Sequence, residues 1–84
     1  MKESQAAAQI VQMIKEWDPF SAGADFYETE AAEIVQAVYT EDDRNRLGKA
    51  IQAVFEVSFD ETLPLEECIK MADRLLVLKD SSSC

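Results

Sequence analysis

Residues 42–59 read DDRNRLGKAIQAVFEVSF, and the spacing of apolar side chains in this stretch decides the fold class. Leu47, Ala50, Ile51, Val54 and Phe55 recur at three- and four-residue intervals, with Phe59 one turn further on. That is the period of one face of an α-helix. A half-buried strand would alternate at every second residue, and only Val57-Ser58-Phe59 approaches that, too briefly to count. The stretch predicts a helix over 42–58 with its stripe turned to a core. Thr40 followed by Asp43 is a start signal, and Glu41, Asp42 and Asp43 suit the positive end of the helix dipole. Asp42 and Arg46, four apart, are expected to pair on the outer face, worth only a few tenths of a kcal/mol. Arg44, Arg46 and Lys49 form the one basic cluster, and salt bridges to the acidic residues just upstream are expected to absorb it. Gly48 costs a helix interior about 1 kcal/mol relative to alanine. The ordinary reason to keep it is the close approach of a neighbouring helix.

The same periodicity extends in both directions. Upstream, Tyr27, Ala31, Ile34, Val35 and Val38 mark a helix over 26–39. Asp25 with Glu28 three residues later has capping-box spacing, although Asp replaces the usual Ser or Thr. Before it, Ala7, Ile10, Met13, Ile14 and Trp17 mark a helix over 5–16, with Ser4 as N-cap and Pro19 as its stop. Downstream, Pro64 is placed to start a helix over 64–79, with Glu66 and Glu67 in its first turn. Leu65, Cys68, Ile69, Ala72, Leu75 and Leu76 form its inner face, and 80–84 read as a frayed tail. The expectation is an all-α, four-helix bundle-like array, helices about 5–16, 26–39, 42–58 and 64–79, in one domain over 1–84.

Charge narrows the partners. Seventeen acidic residues against eight basic ones leave a net charge of −9 on 84 residues. Such a surface repels phosphate backbones and anionic lipid, so no nucleic acid and no membrane is expected as partner. A basic protein, or a second copy of the chain, is the expected partner class. The two cysteines, Cys68 and Cys84, do not form a disulfide framework, and no apolar run reaches the length of a membrane span. The N-terminus lacks the continuous apolar core of a signal peptide. A reducing cytoplasm is the expected location.

The residue inventory also limits the chemistry. There is no histidine, which removes triads with an imidazole base and His-containing zinc sites. Two glycines, Gly23 and Gly48, cannot build a Walker A loop or a GxGxxG fingerprint. Residues 18–29 have Gly23 at the sixth position of a calcium loop, but Phe20 and Ala22 stand where oxygen ligands are required. Glu30 and Glu33, or Glu66 and Lys70, could share a helix face, but in an acidic helical chain such pairs are ordinarily solvated. Cys68 reads as a small core residue with no cation nearby to activate it. No catalytic residue, cofactor or metal ligand is assigned, and no enzyme activity is expected.

One segment carries a functional hypothesis. Four of the seven aromatic residues, Trp17, Phe20, Phe26 and Tyr27, fall within residues 17–27, interleaved with Asp18, Pro19, Gly23 and Asp25. The structural reading is a plug in which Asp18 ties down the turn, Pro19 fixes it, and the aromatics cap the core. The functional reading is an exposed platform that docks a partner. The candidate interaction loop is therefore Trp17, Asp18, Pro19, Phe20, Gly23, Asp25 and Tyr27, with the plug the favoured role.

Trp17-Asp18-Pro19-Phe20, followed by Gly23, Asp25-Phe26-Tyr27 and Glu30, resembles the signature of the YugE-like family of small proteins from Bacillus and its relatives. That family is of unknown function. The likeness extends over most of the chain, but its motif has a glycine where this sequence has Ser21. The resemblance implies a small helical domain and supplies no catalytic or binding residue. The expected function is a non-enzymatic interaction or accessory module. The alternatives are an acidic, immunity-type inhibitor of a basic toxin, a structural homo-oligomer and, last, a carboxylate-dependent metal enzyme.

Overall fold

A computed structural model describes residues 2–82, without the side chains of residues 2–5, 24, 81 and 82. Four helices follow one another: α1 (Lys2–Trp17), α2 (Glu28–Thr40), α3 (Arg44–Phe59) and α4 (Leu65–Ser82). A single 3₁₀ turn, Ala24–Tyr27, leads into α2. Among the described residues there is no strand. The all-α, bundle-like array expected from the periodicity is the observed fold.

The apolar stripes meet in one core. Ile10 and Ile14 of α1, Ile34 and Val38 of α2, Leu47, Ile51 and Phe55 of α3, and Cys68, Ala72 and Leu75 of α4 are fully buried. Burying a side chain of this size stabilises by about 1.5–3 kcal/mol, so the stripes are what hold the helices together. The molecule measures 37 × 25 × 16 Å, a flat array rather than a square bundle. Helices α3 and α4 approach closely. A Cβ built on Gly48 would lie 2.6 Å from Ile69 Cγ1 and 3.0 Å from Ile69 Cα, so glycine is the residue this crossing admits. The Gln52 side chain donates to the Leu63 carbonyl at 2.8 Å, which folds the α3–α4 connection back along α3.

The helix ends depart from the sequence expectations. Asp43, not Thr40, caps α3: its carboxylate accepts from the Asn45 amide at 3.2 Å, and the helix starts at Arg44 rather than at 42. Thr40 is the last residue of α2, where its hydroxyl donates to the Gln36 carbonyl. Asp42 does not pair with Arg46. It accepts from Lys79 at 2.9 Å, and the same ammonium donates to the Val38 carbonyl. A lysine at the end of α4 thus satisfies the exposed C-terminus of α2, where a cation is favoured. Arg44, Arg46 and Lys49 stand exposed with no ion pair among the described residues, so the expected salt bridging does not occur.

The Asp25–Glu28 capping box is absent as well. Asp25 lies inside the 3₁₀ turn, and neither that turn nor α2 has a side-chain cap. Helix α1 begins at Lys2, which places Ser4 within it rather than at its cap; the Ser4 side chain lies outside the described residues. Pro64 sits just before α4, its carbonyl accepting from the Glu67 and Cys68 amides. At the other end α4 continues through Ser82, so Asp80 is helical rather than tail, and Cys84 lies outside the described residues.

Candidate functional site

The aromatic segment builds one end of the molecule. Asp18 ends α1 with a φ of 43°, Ser21 follows at 55° and Gly23 at 102°, so the chain turns sharply three times within six residues. For non-glycine residues the left-handed region costs about 1–2 kcal/mol each, and something must hold them there. The holding group is the Asp18 carboxylate. Its Oδ1 accepts from the Tyr27 hydroxyl at 2.5 Å, the Ala22 amide at 2.9 Å and the Gly23 amide at 3.2 Å. The Tyr27 hydroxyl in turn accepts from the Phe20 amide at 3.1 Å. One carboxylate and one phenol therefore satisfy three backbone amides of the turn.

The electrostatics follow from this geometry. The hydrogen bond from Tyr27, helped by the Gly23 and Ala22 amides, holds the Asp18 carboxyl below its ordinary value of 3.8, against a smaller opposing effect of burial. Tyr27 is pushed above its ordinary 10.0 by burial first, then by its bond to Asp18. The pair is locked as carboxylate and neutral phenol, a structural clamp.

Below the clamp the rings pack as a cluster. Trp17 and Tyr27 each meet Phe55 edge-on with centroids 5.9 Å apart, and Phe20 lies stacked on Phe59 at 4.7 Å. Trp17, Phe20 and Tyr27 thus face inward onto α3. Phe26 does not. It is 67% exposed while its neighbour Tyr27 is fully buried, since adjacent side chains of a 3₁₀ turn point about 120° apart. Near the C-terminus of α3, which the Phe20 and Tyr27 rings bring to this same end, Val57 is 86% exposed. Asp25 and Glu28, close to Phe26 in sequence, and Glu56, Asp60 and Glu61, close to Val57, are exposed as well. Lys15 of α1 pairs with Glu28 at 3.7 Å.

The loop residues named from sequence are thus brought together, but as a plug: Asp18 and Tyr27 as the clamp, Trp17 and Phe20 as packing, Pro19 half-buried, Gly23 and Asp25 exposed. Phe26 and Val57 lay outside the candidate set. The signal for Val57 was available, since it falls off the stripe of α3.

The other candidate groups resolve simply. Glu30 is buried, 9% exposed, while Glu33 is exposed, so they do not act as a facing pair. Lys70 pairs with Glu67 at 3.6 Å rather than with Glu66. Cys68 is buried, and burial, with Glu67 nearby, pushes its thiol up to about 11, the signature of an inert core cysteine. Among the described residues no three His, Cys, Asp or Glu side chains are grouped to hold a metal ion, and no helix is long and apolar enough to cross a membrane.

These features define an all-helical module with an acidic, aromatic-plugged end. The chain belongs to the DUF1871 family, described as a domain of unknown function, which matches residues 9–84. It is 51% identical to the uncharacterized protein YugE of Bacillus subtilis over 84 residues, covering 100% of this chain and 98% of that protein. A crystal structure of a protein from Bacillus stearothermophilus matches with a TM-score of 0.90 at 42% identity, over 93% of this chain and 96% of that one. The family resemblance read from the Trp-Asp-Pro segment is therefore correct.

Proposed function

We propose that this chain is a non-enzymatic interaction module of the bacterial cytoplasm that takes a basic protein segment at its aromatic end. The observation that carries this reading is the exposure of two large apolar side chains with exposed acidic neighbours in sequence, Phe26 beside Asp25 and Glu28, and Val57 beside Glu56, Asp60 and Glu61. Large apolar side chains rimmed by charge are the ordinary anatomy of a binding surface. A rim of one sign selects a partner of the other and speeds its arrival. The buried clamp and ring cluster then have a purpose in the same scheme. They hold the 3₁₀ turn rigid, so Phe26 is presented without an ordering penalty at binding.

The test is a tagged pull-down from a Bacillus lysate at low and moderate salt, with mass spectrometry. Expected is a basic partner retained at low salt, weakened at moderate salt, and lost with Phe26→Ser or Val57→Asp while Arg46→Ala leaves it unchanged. A partner retained equally by all three variants would overturn the assignment of the surface. Recovery of no basic protein at low salt would overturn the reading itself.

A further inference from the structure

We infer that the outer face of α3 is a self-association surface, paired antiparallel with the same face of a second copy of this chain. The face lies opposite the buried stripe of Leu47, Ile51 and Phe55. At about 100° per residue, Ala53 falls at its middle, with Arg46 two turns before it and Asp60, the C-cap, two turns after. Lys49 and Glu56 lie on one flank of that line, Ala50 and Val57 on the other. Ala53 and the four charged residues are exposed, and Val57 is 86% exposed. None of the four charged side chains has an ion pair among the described residues.

The order of the charges chooses the occupant. Along this face both cations, Arg46 and Lys49, precede Ala53, and both carboxylates, Glu56 and Asp60, follow it. A two-fold axis through Ala53 reverses that order and keeps each flank on its own side. Arg46 of one copy then comes level with Asp60 of the other, and Lys49 comes beside Glu56 on their shared flank. Each pair occurs twice, and no like charges of the two helices are set level. On the opposite flank Val57 meets Ala50 and the aliphatic stem of Arg46. Ala53 faces its own copy across the axis, where a small side chain lets the helices close. An acidic segment laid here would meet Glu56 and Asp60, a basic one Arg46 and Lys49, and a parallel copy would set like against like. An antiparallel copy supplies the opposite charge at all four positions, in a molecule whose net charge of −9 otherwise keeps copies apart.

The contact is one helix face wide, so the dissociation constant is on the order of 100 µM, and below that concentration Val57 is open. Val57 belongs to both surfaces, so a dimer excludes the basic segment; that competition rests on the function proposed above, whereas the dimer stands without it. Sedimentation equilibrium of the full chain at low salt, from about 10 µM to about 1 mM, tests it. Expected is a monomer–dimer equilibrium of the 9.4 kDa chain, abolished by Ala53→Lys, which sets two ammonium groups together on the axis. Lys49→Glu and Glu56→Lys should each weaken association about tenfold. An equimolar mixture of those two variants should return to within about threefold of wild type, since each chain supplies the other's counter-charge. Phe26→Ser, which removes the anchor of the basic segment and leaves α3 untouched, should leave the dimer unchanged. Circular dichroism confirms that each variant folds. A wild-type chain that stays monomeric throughout would overturn the inference. So would a dimer indifferent to Ala53→Lys, a mixture no tighter than its components, or a dimer lost with Phe26→Ser.

Discussion

Replacing Gly48 by alanine adds one methyl group at the close crossing of α3 and α4. The added carbon would sit 2.6 Å from Ile69 Cγ1, 3.0 Å from its Cα and 3.1 Å from its backbone nitrogen. Carbon atoms rest comfortably at about 3.5–4.0 Å, so the gap must open by roughly half an ångström to an ångström. Cγ1 can rotate aside, but Cα and N are backbone, and relieving them means moving α4. Overpacking of this kind costs about 1–3 kcal/mol, and the backbone atoms place Gly48 at the upper part of that range. Against it stands the helix preference of alanine over glycine, about 1 kcal/mol. The net expectation is a loss of about 1–2 kcal/mol, which for a domain of this size lowers Tm by roughly 5–15 °C. Urea unfolding followed by far-UV circular dichroism measures it, with the denaturant slope checked for constancy. Ile69→Ala in the same background should recover only part of the loss, since the Cα and N contacts remain. A Gly48→Ala protein as stable as wild type, or more so, would refute the close α3–α4 crossing.

Three further outcomes follow from the clamp, the strained turn and the buried Cys68 thiol. Tyr27→Phe removes the donor to Asp18 and the acceptor for the Phe20 amide, so it should destabilise by about 1–3 kcal/mol in the same assay. Stability should fall on both sides of a neutral plateau in a pH series of urea titrations. Asp18 is held below 3.8, so below that value the unfolded chain binds the proton first and stability drops as pH falls through the folded-state value. Cys68, raised from 9.0 to about 11, and Tyr27, raised above 10.0, act in reverse: stability is full below pH 9 and is lost as pH rises towards their folded values, and Cys68→Ala should flatten that limb. Finally, Ser21 holds a φ of 55°, so Ser21→Gly should stabilise by about 0.5–1 kcal/mol in thermal melts, the unfolded-chain entropy of glycine offsetting part of the relief.

The helices were legible because their stripes are local: Leu47, Ile51 and Phe55 lie on one face whatever else the chain does. Gly48 was legible for a related reason, since a glycine inside a periodic stretch has few structural uses. What failed were readings that assumed a residue finds its partner nearby. Asp42 was assigned to Arg46 four residues on, but the uncapped carbonyls of α2 draw in Lys79, and Asp42 follows it. Asp25 and Glu28 had capping spacing, yet the Asp18–Tyr27 bond holds the chain in a 3₁₀ turn just where α2 would have begun. That bond spans nine residues and depends on three left-handed positions, none of which a sequence window displays. The aromatic loop was legible as a cluster, and the periodicity of 26–39 already put Tyr27 on the buried stripe and left Phe26 off it.

Binding at the aromatic end is tested most directly by an amide chemical-shift map of the isotope-labelled chain, titrated with its captured basic partner at low salt. The expected result is perturbation centred on Phe26, Val57 and Asp60, fading as salt is raised. Perturbation centred instead on Arg44, Arg46 and Lys49, or none along the 3₁₀ turn and the end of α3, would contradict it.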